Sequence, residues 1–383
     1  MIIAKNRTHI HLLPEMSNRH GLIAGSTGGG KTITMQVMAE NFSKIGVPIF
    51  MADIKGDLSG IAFPGTESDK LTARVNTIGL KDFKFEGNPV RHWDPFEYDN
   101  SAIKTSISRV GPMLLTRLLD LTPAQEGTLY QIFKIVRDHD IDLIDSLDLT
   151  SVINLITEDT KKFEPKYGRL STQSLGALQR SMILLEDDGN DVLFDGDVFD
   201  VNELLKVEDG KGVINILKAD RLINSPRMYA TLLLWMLGEL YETLPEVGDV
   251  DKPTMVVFFD EAHLLFTDAP KLVTEKIERL VKLIRSKGVG IFFSTQVPGD
   301  IPDGVLSQLA NRVQHSMRAF TPKEQSAVKT IAQTFRTNGK LNIEKAIMEL
   351  KIGEALVSFL DITGTPGIVK RALIAPPRSR MGV

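Results

Sequence analysis

The sequence predicts an α/β fold with a mainly parallel sheet, interrupted by a helical insertion. Two observations carry the expectation. In both the first hundred residues and the stretch after residue 206, short apolar runs alternate with helical periods, which is the order of strand–helix–strand units. Between them, over 101–205, apolar residues recur at helical spacing (Leu114, Leu118; Leu129, Ile132, Phe133, Val136; Leu175, Leu178, Met182, Leu185) with few β-branched runs. With 383 residues the chain is too long for one ordinary core, so one large domain with an insertion, or two domains, is expected. The boundaries expected are 1–100 for the first part of the core, 101–205 for the insertion, 206–375 for its second part and 376–383 for a tail.

In chain order, the apolar run Leu22-Ile23-Ala24 reads as a strand that ends in a glycine loop. A helix follows from Lys31 to about Ile45, stopped by Gly46, and 47–53 reads as the next buried strand. After the insertion come a strand at 212–216, a helix over 226–241, a strand at 255–259 and a helix over 271–287. A strand at 289–294, another near 313–317 and a final pair near 354–360 and 368–374 complete the sheet. Pro376-Pro377-Arg378-Ser379-Arg380 reads as an unstructured tail.

Hydrophobic residues at 42% and charged residues at 25% fit a soluble globular enzyme. The net charge of -4 excludes a surface that coats nucleic acid as a whole, so any DNA contact needs a local basic patch or a ring pore. Zero cysteines exclude disulfides and thiolate metal sites. The N-terminus meets a charge at Lys5, too early for a signal-peptide core. The longest apolar stretch, 231–240, contains Gly238 and Glu239 and falls well short of the roughly 20 residues that span a bilayer. A cytoplasmic protein with no membrane partner is expected.

Gly25-Ser26-Thr27-Gly28-Gly29-Gly30-Lys31-Thr32 fits G-x-x-x-x-G-K-[ST] at every fixed position. Such a loop lets successive backbone N–H groups surround phosphate oxygens, and the helix that starts at Lys31 adds its positive end. The pattern predicts ATP bound with Mg²⁺, Lys31 reaching the β- and γ-phosphates and the Thr32 hydroxyl on the metal. Met255-Val256-Val257-Phe258-Phe259 delivers Asp260 and Glu261 at the carboxyl end of a buried strand. Asp260 is expected in the Mg²⁺ shell and Glu261 as general base toward the attacking water. Gln296 follows the next strand and is expected to sense the γ-phosphate and orient water, the alternative being a loop cap. Arg285 stands before the turn at Ser286-Lys287-Gly288 and either belongs to a solvated or interface face of the preceding basic helix or suits a finger inserted in trans into a neighbouring subunit's site. Asp53-Ile54-Lys55-Gly56-Asp57 should lie beside the glycine loop, either touching Mg²⁺-bound water or forming a solvated turn. Arg312 and Arg318 flank a strand as further sensors or, the better-supported reading, as ion-pair partners. No histidine pair has zinc-ligand spacing with a third ligand, so no zinc site is expected.

Together the segments 21–32, 53–60, 258–263, 285–290 and Ser294-Thr295-Gln296 resemble the HerA/FtsK superfamily of ring-forming motors, specifically its bacterial HerA-like ATPases. Gly111 to Leu121 extends the resemblance into the helical segment. It implies a RecA-like core, a catalytic Glu beside the Mg²⁺-binding Asp, and an arginine finger from the adjacent protomer at Arg285. Members proper carry a β-barrel ahead of the core, whereas only about twenty residues precede the first expected strand here, so contacts made through a barrel are not expected. The expectation is an ATP-hydrolysing homohexamer that moves or unwinds DNA. The alternative is a nucleotide-dependent switch that acts on a protein partner, for which the helical segment offers a docking surface.

Overall fold

The computed structural model describes residues 1–99, 101–187, 189–194, 198–248, 250–337 and 339–382. In chain order its strands are β1 (Ile2–Lys5), β2 (His9–His11), β3 (Gly21–Ala24), β4 (Ile49–Asp53) and β5 (Val90–Trp93). Then come β6 (Val207–Glu208), β7 (Lys211–Gly212), β8 (Ile214–Lys218), β9 (Met255–Phe259), β10 (Val289–Thr295), β11 (Asn311–Gln314), β12 (Glu354–Ser358) and β13 (Lys370–Ile374). Apart from the small β6–β7 hairpin, all belong to one sheet in the order β2-β1-β13-β12-β11-β3-β10-β9-β4-β8-β5. From β11 across to β5 every neighbouring pair is parallel, and from β11 outward to β2 every pair is antiparallel. Apart from β5, the parallel block is the part that the strand–helix alternation predicts. β1, β2 and β5 were not expected, being short and interspersed with charged or polar residues.

Successive side chains of a strand face opposite ways, and the sheet uses both faces. Phe258 and Phe292 point into the core shared with the helix α1 (Lys31–Lys44), against Met35, Met38 and Phe42. Phe259 and Phe293 point into the opposite core. A further helix, α2 (Asp69–Ile78), follows β4. The segment read as an insertion supplies α3 (Ile107–Leu118), α4 (Pro123–Asp138), α5 (Ser146–Glu158), α6 (Thr160–Tyr167) and α7 (Thr172–Asp187). Their apolar faces share one core with α8 (Pro226–Thr243), α9 (Lys271–Leu283) and the Phe259 face of the sheet. A short helix α10 (Asp303–Leu306) precedes β11. Between β11 and β12, α11 (Pro322–Gln333) and α12 (Ile343–Glu349) close a third, smaller core around Phe335 and Ile347. Among the described residues no helix is long and apolar enough to cross a membrane.

The expected unstructured tail is instead strapped to α1. The buried Glu40 carboxylate accepts the backbone N–H groups of Arg378 (2.8 Å) and Ser379 (2.9 Å) and the Ser379 hydroxyl. Gln36 Nε2 donates to the Arg380 carbonyl at 2.8 Å. The strap also pairs with the loop after β4, through Arg380 N–H to Phe63 O and Gly60 N–H to Gly382 O, both 2.9 Å. A Cβ on Gly60 would stand 2.1 Å from the Gly382 carbonyl oxygen, so only glycine admits this approach. A proline-rich segment shows no periodicity, and its order comes from a buried acid that needs donors.

Candidate functional site

Four adjacent parallel strands, β3, β10, β9 and β4, end on the same edge of the sheet, and the residues that follow them meet there. β3 leads into the glycine loop. Gly25 has φ +150° and a Cβ there would lie 2.5 Å from the His315 Cβ; Gly28 and Gly30 also take positive φ. The loop is pinned by Gly25 N–H to Thr295 O at 3.2 Å and Ser26 N–H to Ser316 O at 2.9 Å. Thr27 and Gly28 form its exposed tip. The α-helical ladder of α1 begins with Thr34 N–H to Gly30 O, so the N–H groups of Lys31, Thr32 and Ile33 lack intrahelical acceptors and crown an anion site. Lys31 is buried, its ammonium donating to the carbonyls of Gly25 (2.8 Å) and Ser26 (3.4 Å). Burial pushes its pKa down, against the pull of the Glu261 and Asp260 charges. Thr32 sits half-buried in the first helical turn.

β9 ends in two buried acids. Asp260 accepts the Ser294 hydroxyl at 2.8 Å, and burial drives its pKa up. A carboxylate whose charge is desolvated in this way is suited to an adjacent cation, as the Mg²⁺ expectation requires. Glu261 adopts a left-handed backbone, φ +45°, that a non-glycine residue keeps only where its surroundings enforce it. Its Oε1 accepts Gln296 Nε2 at 3.1 Å and lies 3.2 Å from Lys55 Nζ. Its Oε2 is buried with no hydrogen-bond partner among the described residues; His263 Nδ1 is 3.6 Å away. Burial alone would raise the Glu261 pKa, but Gln296, Lys55 and Lys31 outweigh it and hold the carboxyl below its usual range. Lys55 responds in kind: burial works against its charge, but Asp260, Glu261 and Asp57 raise its pKa.

The sequence expectation and the structure agree in bringing Lys31, Asp260, Glu261 and Gln296 to one place. Gln296 holds a carboxylate rather than capping its loop. The 53–57 turn lies beside the loop. Asp53 caps the turn by accepting the N–H groups of Gly56 (2.8 Å), Asp57 (3.2 Å) and Leu58 (3.0 Å), and Lys55 reaches Glu261. Arg285 lies elsewhere. It sits in the turn Ile284–Lys287 ahead of β10, and the seven residues of β10, at about 3.3 Å each, separate it from Gln296. Arg312 forms no ion pair among the described residues; its guanidinium donates to the carbonyls of Leu306 (3.2 Å) and Leu309 (3.0 Å). Arg318 is exposed.

Sequence reasoning did not single out three contributors. Lys55 is the lone cation of the 53–57 turn. Ser294 is the polar residue at the end of β10 that faces Asp260. His315 follows β11 and packs under the loop, its Nε2 2.8 Å from the Thr34 hydroxyl and its pKa lowered to about 4 by burial. A polar residue at the end of an apolar strand was the available signal for Ser294; β11, mostly polar, gave no such signal for His315.

Solved structures that resemble the chain share this fold. They include the bacterial conjugative coupling protein TrwBdeltaN70 in an unbound form (14% identity, covering 99% of this chain and 93% of that one, TM-score 0.60). VirB4 of Thermoanaerobacter pseudethanolicus is similar at 13% identity, 98% and 96% coverage and TM-score 0.61. So is plasmid coupling protein TrwB in complex with ADP and Mg²⁺, at 14% identity, 96% and 87% coverage and TM-score 0.61. No curated protein matches the chain. The profile described as Helicase HerA-like C-terminal matches residues 2–383. The chain therefore belongs to the HerA-like helicase C-terminal family.

Proposed function

We propose that the chain hydrolyses ATP to ADP and phosphate and works as a cytoplasmic homohexameric motor on DNA. The observation that supports the reading most is the convergence of Lys31, Asp260, Glu261 and Gln296 on one sheet edge, in a chain of this family. The glycine loop and the α1 N-terminus receive the phosphates, and Lys31 exchanges the Gly25 and Ser26 carbonyls for phosphate oxygens. Thr32 and Asp260 are suited to hold Mg²⁺, which when bound offsets charge on the β- and γ-phosphoryl oxygens. Glu261 takes the proton from the attacking water and Gln296 fixes the orientation of the pair. Arg285 is too far from its own chain's loop to act there, which favours action in a neighbour's site.

The test is the particle mass with a non-hydrolysable ATP analogue and DNA, together with ATP turnover across salt concentrations. A hexamer and a DNA-stimulated turnover that falls steeply with salt are expected, because phosphate contacts release counterions. A monomer whose turnover DNA leaves unchanged would contradict the motor reading. It would favour the switch acting on a protein partner, for which the exposed Leu147 and Leu155 of α5 and Ile183 and Leu184 of α7 are suited.

A further inference from the structure

The two oxygens of Glu261 stand in different surroundings. Oε1 is engaged by both the Gln296 amide and the Lys55 ammonium, while Oε2 is buried, makes no hydrogen bond among the described residues and has His263 Nδ1 near it only at 3.6 Å. A carboxylate free to rotate would offer either oxygen; one held by two donors on the same oxygen presents the other. We propose that Lys55 is a positioning residue for hydrolysis: together with Gln296 it anchors Glu261 Oε1 and thereby dedicates Oε2 to the attacking water.

The turn that carries Lys55 is built for placement. Asp53 closes it with three backbone hydrogen bonds, and the next residues, from Gly60 onward, are tied to the C-terminal strap. The Lys55 stem therefore starts from a fixed backbone. At the other end, the left-handed backbone of Glu261 fixes where its side chain begins. With both ends set, the 3.2 Å pair determines the remaining rotation of the carboxylate. Lys31 is engaged with the loop carbonyls and does not duplicate this contact. The inference rests on the ATPase reading above, in which Glu261 is the base.

A double-mutant cycle of K55M and E261Q in the full chain tests it, with K55R as the conservative variant and K55Q as a substitute should K55M fail to fold. K55M is expected to lower kcat about ten- to hundredfold, as loss of a supporting contact does, with the nucleotide Kd unchanged. K55R should restore part of the loss. In the E261Q background K55M should lower kcat no further, and in nucleotide-free protein it should lower the unfolding midpoint only where Glu261 is present. A K55M effect that persists in E261Q, a weakened nucleotide Kd, or an unchanged kcat would each overturn the inference alone. E261Q protein with wild-type turnover would overturn the ATPase reading as well.

Discussion

The two ends of β10 make opposite kinds of site from the same strand. At its carboxyl end half-buried Gln296 and exposed Lys55 join the buried Glu261 and the glycine loop in a charge-matched cluster. At its amino end Arg285 sits half-buried beside the start of β3, where the buried His20 accepts the Ile291 N–H at 3.0 Å and contacts Val281 O at 2.7 Å. In the proposed function, one end would hold most of a phosphate-transfer site and the other the cation that completes a neighbour's. A rigid strand keeps them about 20 Å apart or more, so a single chain cannot bring them together. Under the proposed function, that separation is what makes a second chain necessary to complete each site.

The largest effects should come from breaking either end. Arg285→Ala should cut turnover about a thousandfold, and Glu261→Gln by a comparable 10²- to 10⁴-fold, both with nucleotide binding retained in equilibrium titrations. Loss of binding in R285A would place the arginine in structural support of its own chain. Next, Lys31→Ala should weaken nucleotide binding roughly ten- to a hundredfold, the worth of charged hydrogen bonds, measured by the same titration.

Smaller still is the response to acid, which sharpens the comparison because each end carries one buried histidine. Burial lowers the pKa of His20 and of His315 to about 4. The unfolded chain, with histidines near 6.5, then binds more protons than the folded one as pH falls. The stability these neutral histidines confer is present above about pH 6.5 and is lost as pH falls toward about 4, at roughly 3 kcal/mol each. Denaturation midpoints across that window should drop in the wild type and drop less in His20→Gln. An equal drop in both would contradict the assignment at the amino end.

The sequence alone made the carboxyl end legible because its signals are local. A glycine loop between a strand and a helix, and five apolar residues before Asp260, need no knowledge of distant partners. β9 has the bounds expected for it, Met255–Phe259. What sequence could not yield depends on long-range pairing. Lys55 meets Glu261 only because β4 lies next to β9, and the tail is ordered only because Glu40 is buried on α1 and takes its donors from residues 378 and 379. The strands β1 and β2 at one end of the sheet were invisible for a related reason. Their registers against each other and against β13 are fixed by a sheet that the far end of the chain completes.

The central claim is that two chains share each site, and mixing two inactive variants tests it most directly. R285A protein keeps an intact Glu261 edge and E261Q protein keeps an intact Arg285. Assembled together with ATP, Mg²⁺ and DNA, they should recover turnover that neither has alone, rising to a maximum at intermediate ratios. Turnover that stays at the level of the single variants at every ratio, in particles shown by mass to contain both, would contradict the shared site.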